Sequence, residues 1–130
     1  MSVLLQLARE SIQEVYEAAR TIDKSALLDE HPLLNERIKT TVNIYLDDEL
    51  RGTYSSHVAK KSLLDDIIIN AKKAVFEDRT KGPLTTAEYL GCEVELILYT
   101  PSGVLKERDS SILSKNKNSL INQGIEESLS

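Results

Sequence analysis

The sequence is poor in cysteine and aromatic residues, and it contains no long hydrophobic run. Its 130 residues include one cysteine, Cys92, and no tryptophan, and aromatic residues make up 5%. A single cysteine excludes an intrachain disulfide and a multi-cysteine metal site. No run approaches the roughly 18 apolar residues of a membrane span, and no signal-peptide pattern opens the chain. We therefore expect a cytoplasmic protein with no membrane partner and a mainly aliphatic core.

The sequence also contains fewer basic than acidic residues. Lys and Arg number 16 against 21 Asp and Glu, which gives a net charge of −5. Because binding to nucleic-acid phosphates needs clustered cations, this balance argues against a nucleic-acid partner. Charged residues at 28% and hydrophobic residues at 41% are ordinary for a globular protein, and the length suits one domain. No residue pattern implies a bound cofactor, so we expect none.

The chain is organised around a predicted β-hairpin at 40–56. Val42, Ile44 and Leu46 alternate with polar residues, which is the pattern of a strand with one buried face. The three acids that follow suit a solvated turn. The chain is therefore expected to return as a second antiparallel strand at 50–56.

Spacing and capping residues predict the other elements. Apolar residues at three- and four-residue steps indicate two long helices, the second of them capped by Ser62. A Thr-x-x-Glu pattern that ends at Glu88 indicates a short helix capped by Thr85 or Thr86. The predicted helices cover about 2–20, 62–76 and 85–89, a further strand covers 92–99, and 21–37 is predicted to be a loop with a short helical turn.

These elements predict an α+β fold. From Lys106 onward, Ser, Asn, Lys and Glu become frequent and apolar residues become sparse. We therefore predict an α+β domain at 1–105 and a polar carboxyl-terminal segment at 106–130, which is either weakly structured or a divergent remainder of the domain.

Five segments of the chain stand in a recognisable order: Leu50-Arg51-Gly52, Asn70-Ala71, Ala74-Val75-Phe76-Glu77-Asp78, Pro83-Leu84-Thr85 and the strand from Val94 to Pro101. In their order and spacing, the chain resembles the AMMECR domain family, named for the Alport syndrome, midface hypoplasia and elliptocytosis candidate region. The resemblance implies an α+β fold with an antiparallel sheet flanked by helices, in two subdomains with the signature strand facing the cleft between them. It implies no settled activity. It also implies association with Memo-like or radical-SAM proteins and leaves a homo-oligomer open.

The chain departs from the family pattern in two places. The signature Leu-Arg-Gly-Cys-Ile-Gly stands here as Leu50-Arg51-Gly52-Thr53-Tyr54-Ser55. Thr53 lacks the thiolate that would serve as a nucleophile or soft metal ligand. The chain also stops where the family usually continues, so part of the second half of the fold is expected to be absent or supplied by a partner.

The second strand of the hairpin is the candidate ligand-binding site. Gly52 allows a close backbone approach, and the guanidinium of Arg51 offers a rigid fork of donors, so the pair suits the floor of a cleft. The leading hypothesis is a binding module for a protein segment or a small polar ligand. The candidate residues are Leu50, Arg51, Gly52, Thr53, Tyr54 and Ser55, with His57 as a secondary candidate.

Two other functions remain open at this point. The hydroxyls of Thr53 and Ser55 near His57 suggest a hydrolase- or transferase-like enzyme, which requires a hydroxyl bonded to the imidazole and a carboxylate that orients the ring. Alternatively, the chain is an interaction subunit completed by another chain. That function predicts an exposed sheet edge or a large apolar patch.

The cysteine, the acidic pairs and the histidines are predicted to have structural roles. Cys92 shares the parity of the apolar residues in its strand and is expected in the core. The acidic pairs at 47–48 and 65–66 lack the spacing of a calcium loop, and they suit turn solvation and helix N-terminal charge. His31 and His57 have no companion at metal-ligand spacing, so no metal site is expected.

Overall fold

Helices cover one face of a four-stranded antiparallel sheet in residues 2–77 and 82–112, which are the residues that the computed structural model describes. This arrangement confirms the predicted α+β class. The spatial strand order is β2-β1-β3-β4. The elements are α1 (Val3–Glu17), α2 (Lys24–Glu30), a 3₁₀ turn (Pro32–Asn35), β1 (Lys39–Leu46), β2 (Glu49–Ser55), α3 (Leu63–Phe76), α4 (Thr86–Gly91), β3 (Glu93–Thr100) and β4 (Gly103–Arg108).

The helices begin at local capping signals. The hydroxyls of Ser2 and Ser62 accept hydrogen bonds from backbone amides in the first turns of α1 and α3. Thr85 and Glu88 complete a reciprocal capping box at α4. None of the helices within the described ranges has both the length and the apolar character that crossing a membrane requires.

The β1–β2 hairpin forms as the alternation predicts. Asp47 and Asp48 have φ values of 52° and 65°, as the two central residues of a type I′ turn require. Ile44 pairs with Gly52 and Tyr45 pairs with Leu50, so one residue of β2 is left over as a β-bulge. That residue is Arg51, and the bulge directs its side chain away from the regular ladder.

Two segments are more regular than the sequence pattern indicates. The predicted loop at 21–37 contains α2 and the 3₁₀ turn, because Asp23 caps α2 and two leucines of α2 pack against the core. The strand β4 crosses the domain boundary predicted at residue 105. The rest of the predicted polar segment, from residue 113 onward, lies outside the described residues.

The core lies between the sheet and the two long helices. Strands β1 and β3 contribute alternate residues to it, and α1 and α3 contribute their apolar faces. Cys92 is fully buried there, which confirms its predicted place in the core. The buried strand residues are Val42, Ile44, Val94, Leu96 and Leu98.

Candidate functional site

Strand β2 divides the candidate residues between two surfaces. Gly52 and Tyr54 pair with core-facing residues of β1 and therefore lie on the helix side of the sheet. Thr53 and Ser55 pair with Asn43 and Thr41 and lie on the other side. We call that second side, away from α1 and α3, the open face.

Arg51 is held in an ion pair on the helix side. Its Nε and Nη2 donate to the two carboxylate oxygens of Glu88 over 3.0 and 3.2 Å. Its guanidinium also donates to the carbonyl oxygens of Gly82 and Pro83 over 3.0 and 3.3 Å. The side chain is only 12% exposed. Arg51 thus ties β2 to the segment that leads into α4.

The ion pair makes a prediction about acid stability. The pKa of Glu88 lies below its ordinary value, chiefly because Arg51 donates to its carboxylate. A depressed carboxyl pKa stabilises the folded state above the unfolded pKa of about 4.3, and this contribution is lost as pH falls through the folded value. We expect Glu88→Gln to lower the free energy of unfolding at pH 7 and to have a smaller effect at pH 3, as measured by urea denaturation. An equal loss at both pH values would contradict this role.

Gly52 and Tyr54 are engaged by α3. A Cβ atom built on Gly52 would lie 2.2 Å from the carbonyl oxygen of Ala74, so the helix backbone rests directly on the strand at this point. Nζ of Lys73 lies 4.7 Å from the ring centroid of Tyr54 and donates to its hydroxyl over 3.2 Å. The close approach that the sequence predicts at Gly52 is therefore made by the protein's own helix.

The side chains of Thr53 and Ser55 bond to neighbours on β1. Thr53 Oγ1 donates to Oδ1 of Asn43 over 2.6 Å, and the Ser55 hydroxyl lies 2.7 Å from that of Thr41. His57 follows the end of β2 and is exposed. Within residues 2–77 and 82–112, no hydrogen bond joins His57 to either hydroxyl. Leu50 lies exposed at the start of β2.

A polar row crosses the open face beside these hydroxyls. Thr53 on β2, Asn43 on β1 and Glu95 on β3 occupy facing positions. Asn43 Nδ2 donates to Oε1 of Glu95 over 2.9 Å, and the Tyr45 hydroxyl lies 3.5 Å from the same oxygen. The carboxylate lies near the middle of the sheet, and Glu95 is only 6% exposed.

Ile97 and two tyrosines flank the polar row. Ile97 and Tyr99 are half-buried on β3, and the Tyr99 hydroxyl lies 3.0 Å from that of Thr41. At the other end of the face, Cζ of Arg108 lies 4.1 Å from the ring centroid of Tyr45. Sequence reasoning missed Asn43, Tyr45 and Glu95 as site residues, although their place in the strand alternation assigns them to the wetter face.

Two surface cavities lie away from these residues. A groove of about 960 Å³ runs between the end of α1, α2 and α3, and a smaller apolar groove of about 330 Å³ lies beside the 3₁₀ turn. In the larger groove, Glu14 Oε2 accepts from the backbone amides of Thr21 and Ile22, and its Oε1 accepts from Lys72. Glu14 therefore fixes the segment between α1 and α2 and is not a solvated helix residue.

A buried carboxylate lies where β1, β2 and α3 meet. Asp66 accepts from the amide and the hydroxyl of Thr40 over 2.7 and 2.8 Å and from the hydroxyl of Ser56 over 2.6 Å. Asn70 Nδ2 lies 3.2 Å from the same carboxylate. Because Asp66 has these donors, it fastens α3 to the hairpin and is not merely a helix N-terminal charge. Among residues 2–77 and 82–112, no group of three acidic, histidine or cysteine side chains is placed to hold a metal ion.

Comparisons with known proteins identify a family and several similar solved structures. The AMMECR1 family model matches residues 5–124. The crystal structure of the uncharacterized protein PH0010 from Pyrococcus horikoshii is similar, with a TM-score of 0.65 and 25% sequence identity. The similarity covers 75% of this chain and 50% of that one, so the chain matches half the length of its solved relative. No curated protein matches the sequence.

Proposed function

The chain belongs to the AMMECR1 family, and on that premise we propose that it is a binding module that holds an extended polypeptide segment on the open face. The observation that carries the proposal is the hydrogen-bonded row around Glu95. The row lies at the middle of the sheet, and the long helices that contact β1 and β3 in the described ranges, α3 and α1, pack on the opposite side. A surface of this kind is already ordered before a partner arrives.

The chemistry of the open face suits an extended segment. Asn43 and Glu95 supply polar groups at the centre, while Ile97 and Tyr99 supply apolar surface beside them. Tyrosine gives a large contact area at a low cost in conformational entropy, and it is frequent at protein interfaces for that reason. If an extended segment lies across the open face, every second side chain of that segment points toward the sheet. Those side chains meet either the polar groups at the centre or the apolar surface beside them.

The contacts of β2 favour binding over catalysis. The Thr53 hydroxyl donates to the amide oxygen of Asn43, and the Ser55 hydroxyl bonds to that of Thr41. Neither of these two partner groups acts as a general base at neutral pH. Arg51 is occupied by Glu88 and two carbonyl groups, which makes it a weak anchor for a small anionic ligand. We therefore place the ligand contacts of β2 at Leu50, Thr53 and Ser55 and assign Arg51, Gly52 and Tyr54 to shaping the strand.

A polypeptide partner also fits the comparison with the solved relative. That protein has about as much chain again as the part that matches here. Additional polypeptide in such a fold needs a surface on which to pack, and the half-buried side chains of Ile97 and Tyr99 on the open face suit that role. A cytoplasmic location forms part of the same proposal.

The test is a selection from a random peptide library displayed on phage, with the purified protein as the target. Selected peptides should bind the Ser55→Arg variant at least ten times more weakly than the wild type, because the new side chain extends over the open face. Val15→Arg adds the same side chain on α1, in the helix layer, and should leave affinity within a factor of two. Affinities are measured by fluorescence anisotropy with labelled peptides.

Both variants replace exposed residues, so their unfolding midpoints should match that of the wild type and provide the folding control. Failure to enrich any peptide would overturn the proposed polypeptide ligand. Selected peptides that bind the Ser55→Arg variant as tightly as the wild type would overturn the assignment to the open face.

A further inference from the structure

The outer edge of the sheet at β4 is a second surface with interaction chemistry. Strand β4 pairs with β3 on one side, and no strand among residues 2–77 and 82–112 pairs with its other side. Val104 and Leu105 on this strand are 62% and 58% exposed. We infer that two copies of the chain associate by antiparallel pairing of their β4 edges, with Leu105 opposite Leu105 of the second copy. This inference does not depend on the proposed function.

The register with β3 shows which backbone groups face outward. The amide of Asp109 donates to the carbonyl oxygen of Val94 over 3.1 Å, just beyond the end of β4. In an antiparallel ladder, alternate residues direct both backbone groups to the same neighbour. The residues two and four positions earlier, Glu107 and Leu105, therefore face β3. Val104 and Lys106 present their N–H and C=O groups to the outer side.

Only a few registers are available to two identical antiparallel strands. Opposed residues must lie on the same face of the sheet, so the two residue numbers of each pair must sum to an even number. A register centred on Lys106 places two ammonium groups directly opposite each other, which is destabilising. A register centred on Val104 reaches back into the turn between β3 and β4, where little strand is left to pair.

The register centred on Leu105 avoids both problems. Val104 then lies opposite Lys106 of the second copy, and Gly103 lies opposite Glu107. The outward backbone groups of residues 104 and 106 form four hydrogen bonds across the two-fold axis. The two Leu105 side chains meet on the helix side of the joined sheet and cover each other from water.

The paired edges would form one sheet of eight strands with the two open faces side by side. The contact consists of a single pair of six-residue strands. The surface area that it buries is smaller than the roughly 1,000 Å² expected of a stable specific interface. The dimer is therefore expected to dissociate readily on dilution. Exposed edge strands commonly carry charged residues that oppose uncontrolled pairing, and Lys106 has that effect in the competing register.

The rate of disulfide formation in variants with one introduced cysteine tests the register directly. Opposed residues at a non-hydrogen-bonded position have Cα atoms about 4.5 Å apart, within the range that a disulfide spans. We expect Leu105→Cys to form a covalent dimer under mild oxidation at least ten times faster than either Val104→Cys or Lys106→Cys. The native Cys92 is fully buried and does not compete. Faster cross-linking at position 104 or 106 would overturn the proposed register.

Sedimentation equilibrium tests edge pairing without any cysteine. Lys106→Pro removes an outward N–H group and leaves the bonds between β3 and β4 intact, whereas Lys106→Ala keeps that N–H. The dimer dissociation constant should rise at least tenfold in the proline variant and stay near the wild-type value, or fall, in the alanine variant. A wild-type protein that remains monomeric up to millimolar concentration would overturn the inference, as would equal dissociation constants for the wild type and the proline variant.

Discussion

Gly52→Ala is expected to lower the free energy of unfolding by about 3 kcal/mol, because the new methyl group has no space between β2 and α3. The Cβ atom would lie 2.2 Å from the carbonyl oxygen of Ala74. That oxygen belongs to a helix backbone and cannot move aside as a flexible side chain would. The whole of α3 would have to shift from the strand, and α3 also contacts α1 and β1.

Gly91→Ala is the matched control. A Cβ atom on Gly91 would meet only Cδ1 of Leu46, at an ordinary contact distance of 3.7 Å. Gly91 is the last residue of α4, and alanine limits the unfolded chain more than glycine does, so this variant should be neutral or slightly stabilised. Urea unfolding of both variants measures the difference. A Gly52→Ala variant within 0.5 kcal/mol of the Gly91→Ala variant would show that the helix does not need this close approach.

Features that depend on near neighbours in the chain could be predicted from the sequence. The alternation at 40–46 identifies β1, and the acidic pair at 47–48 supplies the turn that returns the chain as β2. Ser62 and Thr85 reveal the starts of α3 and α4, because the amide that each caps lies three residues further on. Each of these signals is complete within a few residues, so tertiary packing does not alter it.

The contacts that define the candidate site join residues far apart in the sequence. Arg51 meets Glu88, 37 residues away, and Asn43 meets Glu95, 52 residues away. Periodicity could assign Asn43 and Glu95 to the wetter face, but only the pairing of β1 with β3 brings them together. The strand β4 was missed for a different reason, because its three consecutive charged residues conceal a short edge strand.

The other large effect is expected at a buried ion pair between α1 and the end of β4. Arg9 Nε donates to Oδ2 of Asp109 over 2.9 Å, and Nη2 donates to Oδ1 over 3.0 Å. Nη2 also donates to the carbonyl oxygen of Cys92 over 2.9 Å. Arg9 and Asp109 are only 4% and 8% exposed, so solvent screens their charges weakly. The pair therefore joins the first helix to the last strand of the sheet.

The thiol of Cys92 lies beside this pair, at 3.7 Å from Nη1 of Arg9. Burial raises its pKa and outweighs the opposite effect of the guanidinium. The pKa of Arg9 is also raised, although burial alone would lower it, because the hydrogen bonds and the charge of Asp109 stabilise the cation. At neutral pH the charges at this point therefore belong to Arg9 and Asp109, and Cys92 packs as a neutral side chain.

Arg9→Met is expected to lower the free energy of unfolding by about 4 kcal/mol, because it leaves the carboxylate of Asp109 buried without its cation. The double variant Arg9→Met with Asp109→Asn removes both charges. The amide oxygen that the second substitution introduces at position 109 can still accept the hydrogen bond that Asp109 Oδ1 receives from the backbone amide of Val94 over 2.9 Å. The double variant should therefore be more stable than Arg9→Met alone, by about 1 to 2 kcal/mol.

A double-mutant cycle in urea at pH 7 measures this coupling, with Asp109→Asn as the fourth corner. If the two single effects add, the loss in Arg9→Met comes from packing of the long arginine side chain, and the charges contribute nothing. If the double variant recovers stability, the cost comes from the buried carboxylate of Asp109 after the loss of the Arg9 cation. The ion pair then acts mainly to keep that buried charge beside a cation.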